Sequence, residues 1–194
     1  VSLRRPRTQF FNPQDSQETK FNGQSRLSNN VQIDGLDNNH RTGLLTVLIP
    51  SAEAIDSVNV TTSNFDAEFG RAGGSVTTVV MKSGTNQFKG SVFAFANNES
   101  TQAKNSFASA TSVKPDTKYQ QFGATLGGPI IKDKLFFFVN AQRFEIDQNP
   151  SGPRTSATEV SPRFNGKLTW QPGPNDSVSA NFQWDYYNVT GRPA

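Results

Sequence analysis

The chain contains no cysteine and a single histidine. Without thiols it can form neither a disulfide framework nor a thiolate metal site. His40 follows Asp37-Asn-Asn and lacks the paired ligands that a metal site needs, so it is interpreted as a loop residue. A Ser-His-Asp arrangement would require a nucleophile elbow, and the sequence has none. The sequence therefore predicts no catalytic residues, no metal, no cofactor and no enzymatic activity.

Long apolar runs are also absent. The longest, Leu44 to Ile49, is interrupted by Thr46 and followed by Pro50, far short of the roughly 20 residues that a transmembrane helix needs. The opening residues VSLRRPRTQF include neither an initiator Met nor the apolar region of a signal peptide. We therefore expect the chain to be a fragment of a longer protein.

The balance of charge is modest. Charged residues make up 18% of the chain, the net charge is +3 and the mean hydropathy is −0.58, which is polar without the charge density of a disordered chain. The basic cluster Arg4, Arg5 and Arg7 has no interleaved aromatic residues, so no nucleic-acid partner is predicted. In contrast, 16 Phe, 15 Gly and 11 Pro favour many short strands over long helices. The predicted fold class is mainly β.

The most informative stretch is Gly127 to Glu145, where a Gly-Gly-Pro turn and a Lys-Asp-Lys corner lead into an aromatic strand. Its residues alternate, with Leu135, Phe137, Val139 and Ala141 on one side and Phe138, Asn140 and Gln142 on the other. A period of two indicates a strand whose faces meet different surroundings.

From residue 87 onward the sequence predicts five strands of about 9 to 11 residues, the length of a tilted transmembrane strand. Their predicted ranges are 87–96, 119–127, 134–146, 162–171 and 177–187. In the last of them, Val178, Ala180, Phe182, Trp184 and Tyr186 alternate with polar residues. The connections run long, short, long, short, as in outer-membrane barrels with long outer loops and short periplasmic turns.

Two architectures fit this alternation. In a transmembrane barrel the apolar face would contact lipid, and the face rich in Asn, Gln, Ser and Thr would line a hydrated lumen. In a secreted β-sandwich that binds or adheres, the apolar faces would instead meet in one core. The substitution Val178→Asp separates the two, because it should unfold a sandwich in water.

Before residue 83 the pattern is different and predicts a small α+β unit. Strands are expected at 27–34, 55–61 and 75–82, with a helical turn at 50–55 and a short helix over 64–70 that ends at Gly70.

Three blocks of this sequence resemble TonB-dependent outer-membrane receptors, and the Oar-like subgroup most of all. They are FNGQSRLSNNVQIDGLDNN from Phe21, IPSAEAIDSVNVTTSNFDAEFGRAGGSVTTVVMKSGTNQFKGSVFAF from Ile49, and QFGATLGGPIIKDKLFFF from Gln121. They follow the family's order and spacing and cover most of residues 21–146.

This resemblance implies that residues 1–85 are the C-terminal half of a plug domain, with 1–20 poorly defined. Residues 86–194 would then be the first five strands of a barrel of about 22. The expected location is the bacterial outer membrane. Expected partners are outer-membrane lipid, an unknown small ligand and a TonB-type energy-coupling protein, which would bind through a segment missing from this chain. The family function is uptake of a scarce nutrient by plug gating.

Several positions are singled out on this basis. Asp34-Gly35 would form a plug turn, Gly70, Gly73 and Gly74 would lead into the last plug strand, and Gly84 would lie in the plug-to-barrel hinge. Glu68 and Arg71 are expected to make a plug–barrel ion contact. The three plug glycines lack the spacing of a phosphate-binding loop. Trp170, Trp184 and Tyr186 are interpreted as aromatic residues of the membrane interface rather than as sugar-stacking residues.

Overall fold

In the computed structural model the described residues are 21–25, 28–40, 46–70, 72–101, 116–149, 157–173, 175–186 and 188–191. The chain divides into two compact units, Val1–Lys82 and Ser83–Ala194. Both units are built from strands. Within the described ranges, no helix is long and apolar enough to cross a membrane.

The first unit is a four-stranded sheet. Its strands are β1 (Asn29–Ile33), β2 (Leu36–Asp37), β3 (Ile55–Thr62) and β4 (Ser75–Met81), arranged in the order β2-β1-β4-β3. β1 pairs in parallel with β4, and the other pairings are antiparallel. The β-branched run in β4 suits a central strand, and Val76, Val79 and Met81 are buried there.

The predicted α+β character of this unit is wrong, because its described residues contain no α-helix. The segment 64–70 forms only a three-residue 3₁₀ turn, Ala67–Phe69, and Asp66 before it is extended. The expected turn at 50–55 is likewise a 3₁₀ turn, Ala52–Ala54, and Ser51 makes no side-chain cap. Segments this short cannot offset the cost of helix nucleation. Gly70 ends its turn with φ −55°, not in the left-handed region.

The second unit contains β5 (Lys89–Asn97), β6 (Asp116–Ile131), β7 (Leu135–Asn149), β8 (Ala157–Gly173), β9 (Asp176–Asp185) and β10 (Asn188–Thr190). Each of β5 to β8 pairs with the next in antiparallel fashion, and both β9 and β10 pair with β8. The result is an open antiparallel sheet, not a closed barrel.

Three of the strands predicted from the apolar alternation were too short. β6, β7 and β8 have 16, 15 and 17 residues, and they extend into the segments expected to be long loops. Backbone pairing needs no apolar side chains, so the ladders continue beyond the alternating apolar stretch. A 3₁₀ turn, Glu99–Thr101, follows β5.

β9 and β10 keep a single register against β8, interrupted at Tyr186. Asp185 pairs with Arg163, Asn188 pairs with Val160, and the N–H of Tyr186 donates to Pro162 O at 3.1 Å. Proline has no N–H to return that bond. The predicted single strand 177–187 is therefore split where it meets Pro162.

Candidate functional site: a sheet with a buried polar face

The faces of the second sheet are inverted relative to those of a soluble domain. On β8, the polar residues Ser161, Arg163, Asn165 and Lys167 are buried, whereas Phe164, Leu168 and Trp170 are exposed. On β7, Asn140 and Gln142 are buried together with the phenylalanines of the same face, whereas Ala141 is exposed. An extended apolar surface of this kind indicates contact with an apolar environment.

A row of hydroxyl and amide side chains crosses the buried face. By strand register its members, from β5 to β9, are Ser91, Thr125, Asn140, Asn165 and Gln183. The hydroxyls of Ser91 and Thr125 are 2.7 Å apart. We call these five residues the polar row. None of the five carries a charge, although the cations Arg163 and Lys167 flank Asn165 on the same face of β8.

The middle of the polar row is not fully satisfied within the described part of the chain. Asn140 is 1% exposed, and neither its Oδ1 nor its Nδ2 has a hydrogen-bond partner. Asn165 donates to Asn181 at 3.2 Å, while its own Oδ1 has no partner. Buried groups of this kind normally bind water or another polar group. The row is therefore suited to a hydrated surface.

The next row contains Arg163 and lies toward the strand ends where β5 ends and β6 begins. We call these the outer strand ends, because the predicted long loops follow them. Its Nε donates to the hydroxyl of Ser161 at 3.3 Å, and its guanidinium carbon lies 5.9 Å from the centre of the Phe144 ring. Asp185 is its direct cross-strand neighbour on β9. This cation is held by an aromatic ring and a hydroxyl, with a carboxylate opposite it.

Phe144 also contacts Tyr119, with ring centres 5.0 Å apart and an edge-to-face arrangement. The Tyr119 hydroxyl donates to the side chain of Gln121, and the Gln121 amide donates to Gln142 at 3.1 Å. Gln142 lies directly opposite Arg163. Aromatic and amide groups from two strands, β6 and β7, thus surround one arginine of β8, an arrangement suited to binding rather than to proton transfer.

The opposite face carries an apolar band, which is interrupted toward one edge by Arg143, the direct neighbour of Phe122 and Pro162. Its members lie on five strands and are Phe88, Gly90, Val92, Ala94 and Ala96; Phe122, Ala124, Leu126, Gly128 and Ile130; Leu135, Phe137, Val139 and Ala141; Pro162, Phe164, Gly166, Leu168 and Trp170; and Val178, Ala180, Phe182, Trp184 and Tyr186.

The height of the band matches a membrane. From Val178 to Tyr186 it runs eight residues, or about 26 Å at about 3.3 Å per residue. A strand tilt of about 35–45° reduces this to roughly 20 Å, near the roughly 25 Å of outer-membrane barrels. Beyond Ala141 the outward positions of β7 become charged, and Arg143 pairs there with Glu145 at 3.1 Å.

The predicted interface aromatics all lie on this band. Trp170 is 51% exposed near the β8–β9 turn, and Trp184 is 48% exposed near the other end of the same strand pair. Tyr186 stacks on Trp184 with ring centres 6.4 Å apart and an angle of 11°. Their positions at opposite ends of the band are compatible with the predicted role, which remains a prediction.

The predicted plug turn adopts a turn geometry in the first unit. Asp34 and Gly35 have φ of 49° and 81° and join β1 to β2 as a two-residue hairpin loop. Asp34 Oδ1 also accepts a hydrogen bond from the N–H of Met81 at 3.0 Å. The aspartate thus connects the turn to the end of β4.

The glycines before β4 pack tightly against β1 and do not form a phosphate-binding loop. The N–H groups of Gly73 and Gly74 both donate to Ser28 O, at 2.8 and 2.9 Å, so neither is free to bind a phosphate. A Cβ on Gly74 would lie 2.7 Å from Asn29 Oδ1. Glu68 lies in the 3₁₀ turn, whereas Arg71, its expected ion partner, lies outside the described residues.

Sequence reasoning missed two features. It did not find the cluster around Arg163, because its members lie on different strands and meet only through the strand register. It also placed Asn86 only in the expected hinge, residues 83–86, and did not predict its contact with the β6–β7 corner. Among the described residues, no three His, Cys, Asp or Glu side chains are grouped so as to hold a metal ion.

Comparisons with known proteins agree with a second sheet that has an exposed apolar face and a polar face opposite it. A family model described as an outer membrane beta barrel domain matches residues 80–163. The TonB-dependent transporter Oar of Myxococcus xanthus is 38% identical over 131 residues, which are 64% of this chain and 12% of that protein. The chain therefore spans about an eighth of the length of this curated relative.

Among solved structures, the siderophore receptor PirA from Acinetobacter baumannii matches with a TM-score of 0.66 at 19% identity. The match covers 88% of this chain and 25% of that one, and it shows a shared fold. Together these findings confirm the predicted bacterial outer-membrane location. The relatives are a transporter and a receptor, in agreement with the prediction that the chain is not an enzyme.

Proposed function

We propose that this chain, a relative of the TonB-dependent outer-membrane transporters, is part of a transporter that takes up a scarce nutrient across the outer membrane. Residues 86–194 would supply the first strands of its barrel wall. Residues 1–85 would be the C-terminal half of a plug that gates the lumen. Movement of the plug would be driven by a TonB-type protein in the periplasm.

One observation supports this proposal above the others: the sheet of the second unit exposes its apolar face, whereas polar residues of the opposite face are buried on β7 and β8. Lipid on the apolar side and a hydrated lumen on the other side account for both faces at once. The alternative, a secreted β-sandwich module, requires the apolar faces to meet in a core. Exposure of Phe122, Phe164 and Phe182 in the described sheet does not favour that alternative.

The polar row and the Arg163 cluster would form part of the lumen wall. Uncharged amides and hydroxyls let polar molecules pass without trapping them, because each contact can be exchanged for water. The cluster around Arg163 lies toward the outer strand ends, where a ligand arriving from outside would first meet the wall. Arginine, tyrosine and phenylalanine together suit a ligand that has both anionic and planar groups.

The nutrient class is part of the proposal, with siderophore, oligosaccharide and peptide as the candidates. PirA, which shares the fold, is a siderophore receptor, so a ferric siderophore is the first probe to use. The outer connections expected to choose the ligand fall largely outside the described residues, at 102–115 and 150–156.

The test is uptake by whole cells that express the intact receptor in a strain deleted for it. Radiolabelled ferric siderophores, oligosaccharides and peptides are supplied with and without a protonophore. The proposal predicts uptake of one class that requires both the receptor and the proton gradient. If receptor-expressing cells bind a probe at the surface but accumulate none, the binding-module alternative replaces it.

A further inference from the structure

The segment that precedes β5 is docked on the corner between β6 and β7. The side-chain amide of Asn86 donates to Asp133 Oδ1 at 2.6 Å, and the N–H of Asp133 donates back to Asn86 Oδ1 at 2.8 Å. One amide side chain thus pairs with both the carboxylate and the backbone of the turn. Asp133 has φ 63°, a conformation that a residue other than glycine adopts at a cost. The two bonds from Asn86 hold it in place.

Gly84 brings the backbone of the same segment against the two strands that the corner joins. A Cβ at this position would lie 2.2 Å from Phe137 O and 2.7 Å from Gly128 O. Both neighbours are backbone atoms of paired strands, which cannot move aside without breaking the ladder. Position 84 therefore excludes every side chain as long as the segment stays docked.

Phe88 completes the contact. Its ring occupies the space above Gly128, where a Cβ would lie 2.3 Å from its Cδ1, and its centre is 6.2 Å from the centre of the Phe137 ring. Between Gly84 and Phe88 the chain is also bonded to itself, since the Thr85 hydroxyl donates to Gln87 O at 3.0 Å. Residues 84–88 thus have their own set of contacts before β5 begins at Lys89. We call them the anchor segment.

We propose that the contact of Asn86 with the β6–β7 corner attaches the anchor segment firmly to the sheet. Residues from Gly84 onward then stay with the sheet when the first unit moves or unfolds. The joint between the two units then lies before Gly84. Asn86 acts as a positioning residue, because it holds the turn and touches no transported molecule. In the proposed transporter, the anchor segment limits how far a displacement of the plug propagates into the barrel wall.

The order of events follows from the contacts. A pull or an unfolding that starts in the first unit reaches residue 84 before it reaches the first β5–β6 pair, Lys89 with Gly127. If the anchor segment unfolded together with the first unit, the edge strand β5 would be the next element to be pulled or unfolded. With the corner contacts intact, β5 keeps its nine residues paired.

Hydrogen exchange tests this directly, because the N–H of Asp133 reports its bond to Asn86. The intact receptor in detergent micelles is exchanged at increasing urea and analysed by mass spectrometry. In the wild type, the amides of β4 should become unprotected at a lower urea concentration than the Asp133 amide. In Asn86→Ala the Asp133 amide should exchange at least about tenfold faster without urea, since its acceptor is gone.

Asn175→Ala, in the β8–β9 turn, is the matched control and should leave the Asp133 amide unchanged. If Asn86→Ala does not insert, Asn86→Asp keeps the shape and replaces the donor with a second carboxylate beside Asp133. This variant should weaken the contact, because two neighbouring carboxylates repel each other. Loss of Asp133 protection together with β4 in the wild type would overturn the proposal, as would unchanged exchange in the Asn86 variants. Because no substrate is used, failure to find an uptake activity leaves this result intact.

Discussion

Phe93 and Gly123 lie directly opposite each other on β5 and β6, and the phenylalanine ring fills the space that a side chain at position 123 would need. A Cβ there would lie 2.6 Å from Phe93 Cζ, 2.6 Å from Ala141 O and 2.8 Å from Gln142 Cβ. The absent side chain lets an aromatic ring of β5 lie over the backbone of β6. Cross-strand pairs of this kind fix the register of an edge strand.

Replacing this glycine should therefore loosen β5. Gly123→Ala should destabilise the folded barrel by about 1–3 kcal/mol, because one of its close neighbours is a backbone oxygen that cannot retreat. The measurement is urea unfolding of the receptor in micelles, followed by the loss of heat-modifiable migration in gels. Gly166→Ala is the control, since its nearest neighbour would be Phe164 Cε1 at 3.4 Å. Equal midpoints for the two variants would contradict the expectation.

Adjacent residues on β9 test which face contacts lipid. Ala180 lies in the apolar band, whereas Ser179 next to it points to the polar side, and both are exposed. Ala180→Arg should cost about 2–4 kcal/mol of folding free energy in a bilayer, and Ser179→Arg should cost close to nothing. Folding into lipid vesicles at graded urea measures both. A sheet that is simply water-exposed would tolerate the two arginines equally.

The membrane-interface assignment of the tryptophans gives a prediction about depth. Trp170 and Trp184, at opposite ends of the band, should both be quenched more strongly by lipids brominated near the headgroup than by lipids brominated at the chain ends. The difference in quenching between the wild type and the Trp170→Phe or Trp184→Phe variant gives the contribution of each residue. Stronger quenching from the centre of the bilayer would place them away from the interface, and no quenching by any lipid would remove them from the membrane.

The hairpin turn of the first unit can be tested through its aspartate. Asp34→Ala removes the acceptor of the Met81 N–H, and Met81 is 1% exposed, so the first unit should lose about 1–3 kcal/mol. Asp34→Asn keeps an acceptor oxygen and tolerates positive φ, so it should cost much less. The exchange rates of the β4 amides measure both. Similar losses for Ala and Asn would show that the hydrogen bond contributes little.

Sequence alone was sufficient for the alternation and for the tight corners. The alternation places Val178, Phe182 and Trp184 on one face, because a strand has a period of two whatever its neighbours are. The Asp-Gly pair at 34–35 likewise specifies a turn through local backbone preferences. These are short-range properties, and each can be read from a few consecutive residues.

Helix and strand limits were less accurate for a physical reason. The segment 64–70 has residues that tolerate a helix, but it is too short to form one without support. The long ends of β6, β7 and β8 carry little apolar alternation, and it is pairing with the neighbouring strand that makes them strands. Position 186 shows the same dependence, since the strand is interrupted there by Pro162 on the neighbouring strand.

By itself, then, the sequence determined that this protein has two-faced strands, short turns on one side and an apolar band wide enough for a membrane. Only the tertiary structure decided which residues of different strands meet. The polar row from Ser91 to Gln183, the cluster around Arg163 and the contact of Asn86 with Asp133 all depend on strand register. Register arises from contacts between residues tens of positions apart, and no local pattern in the chain encodes such distances.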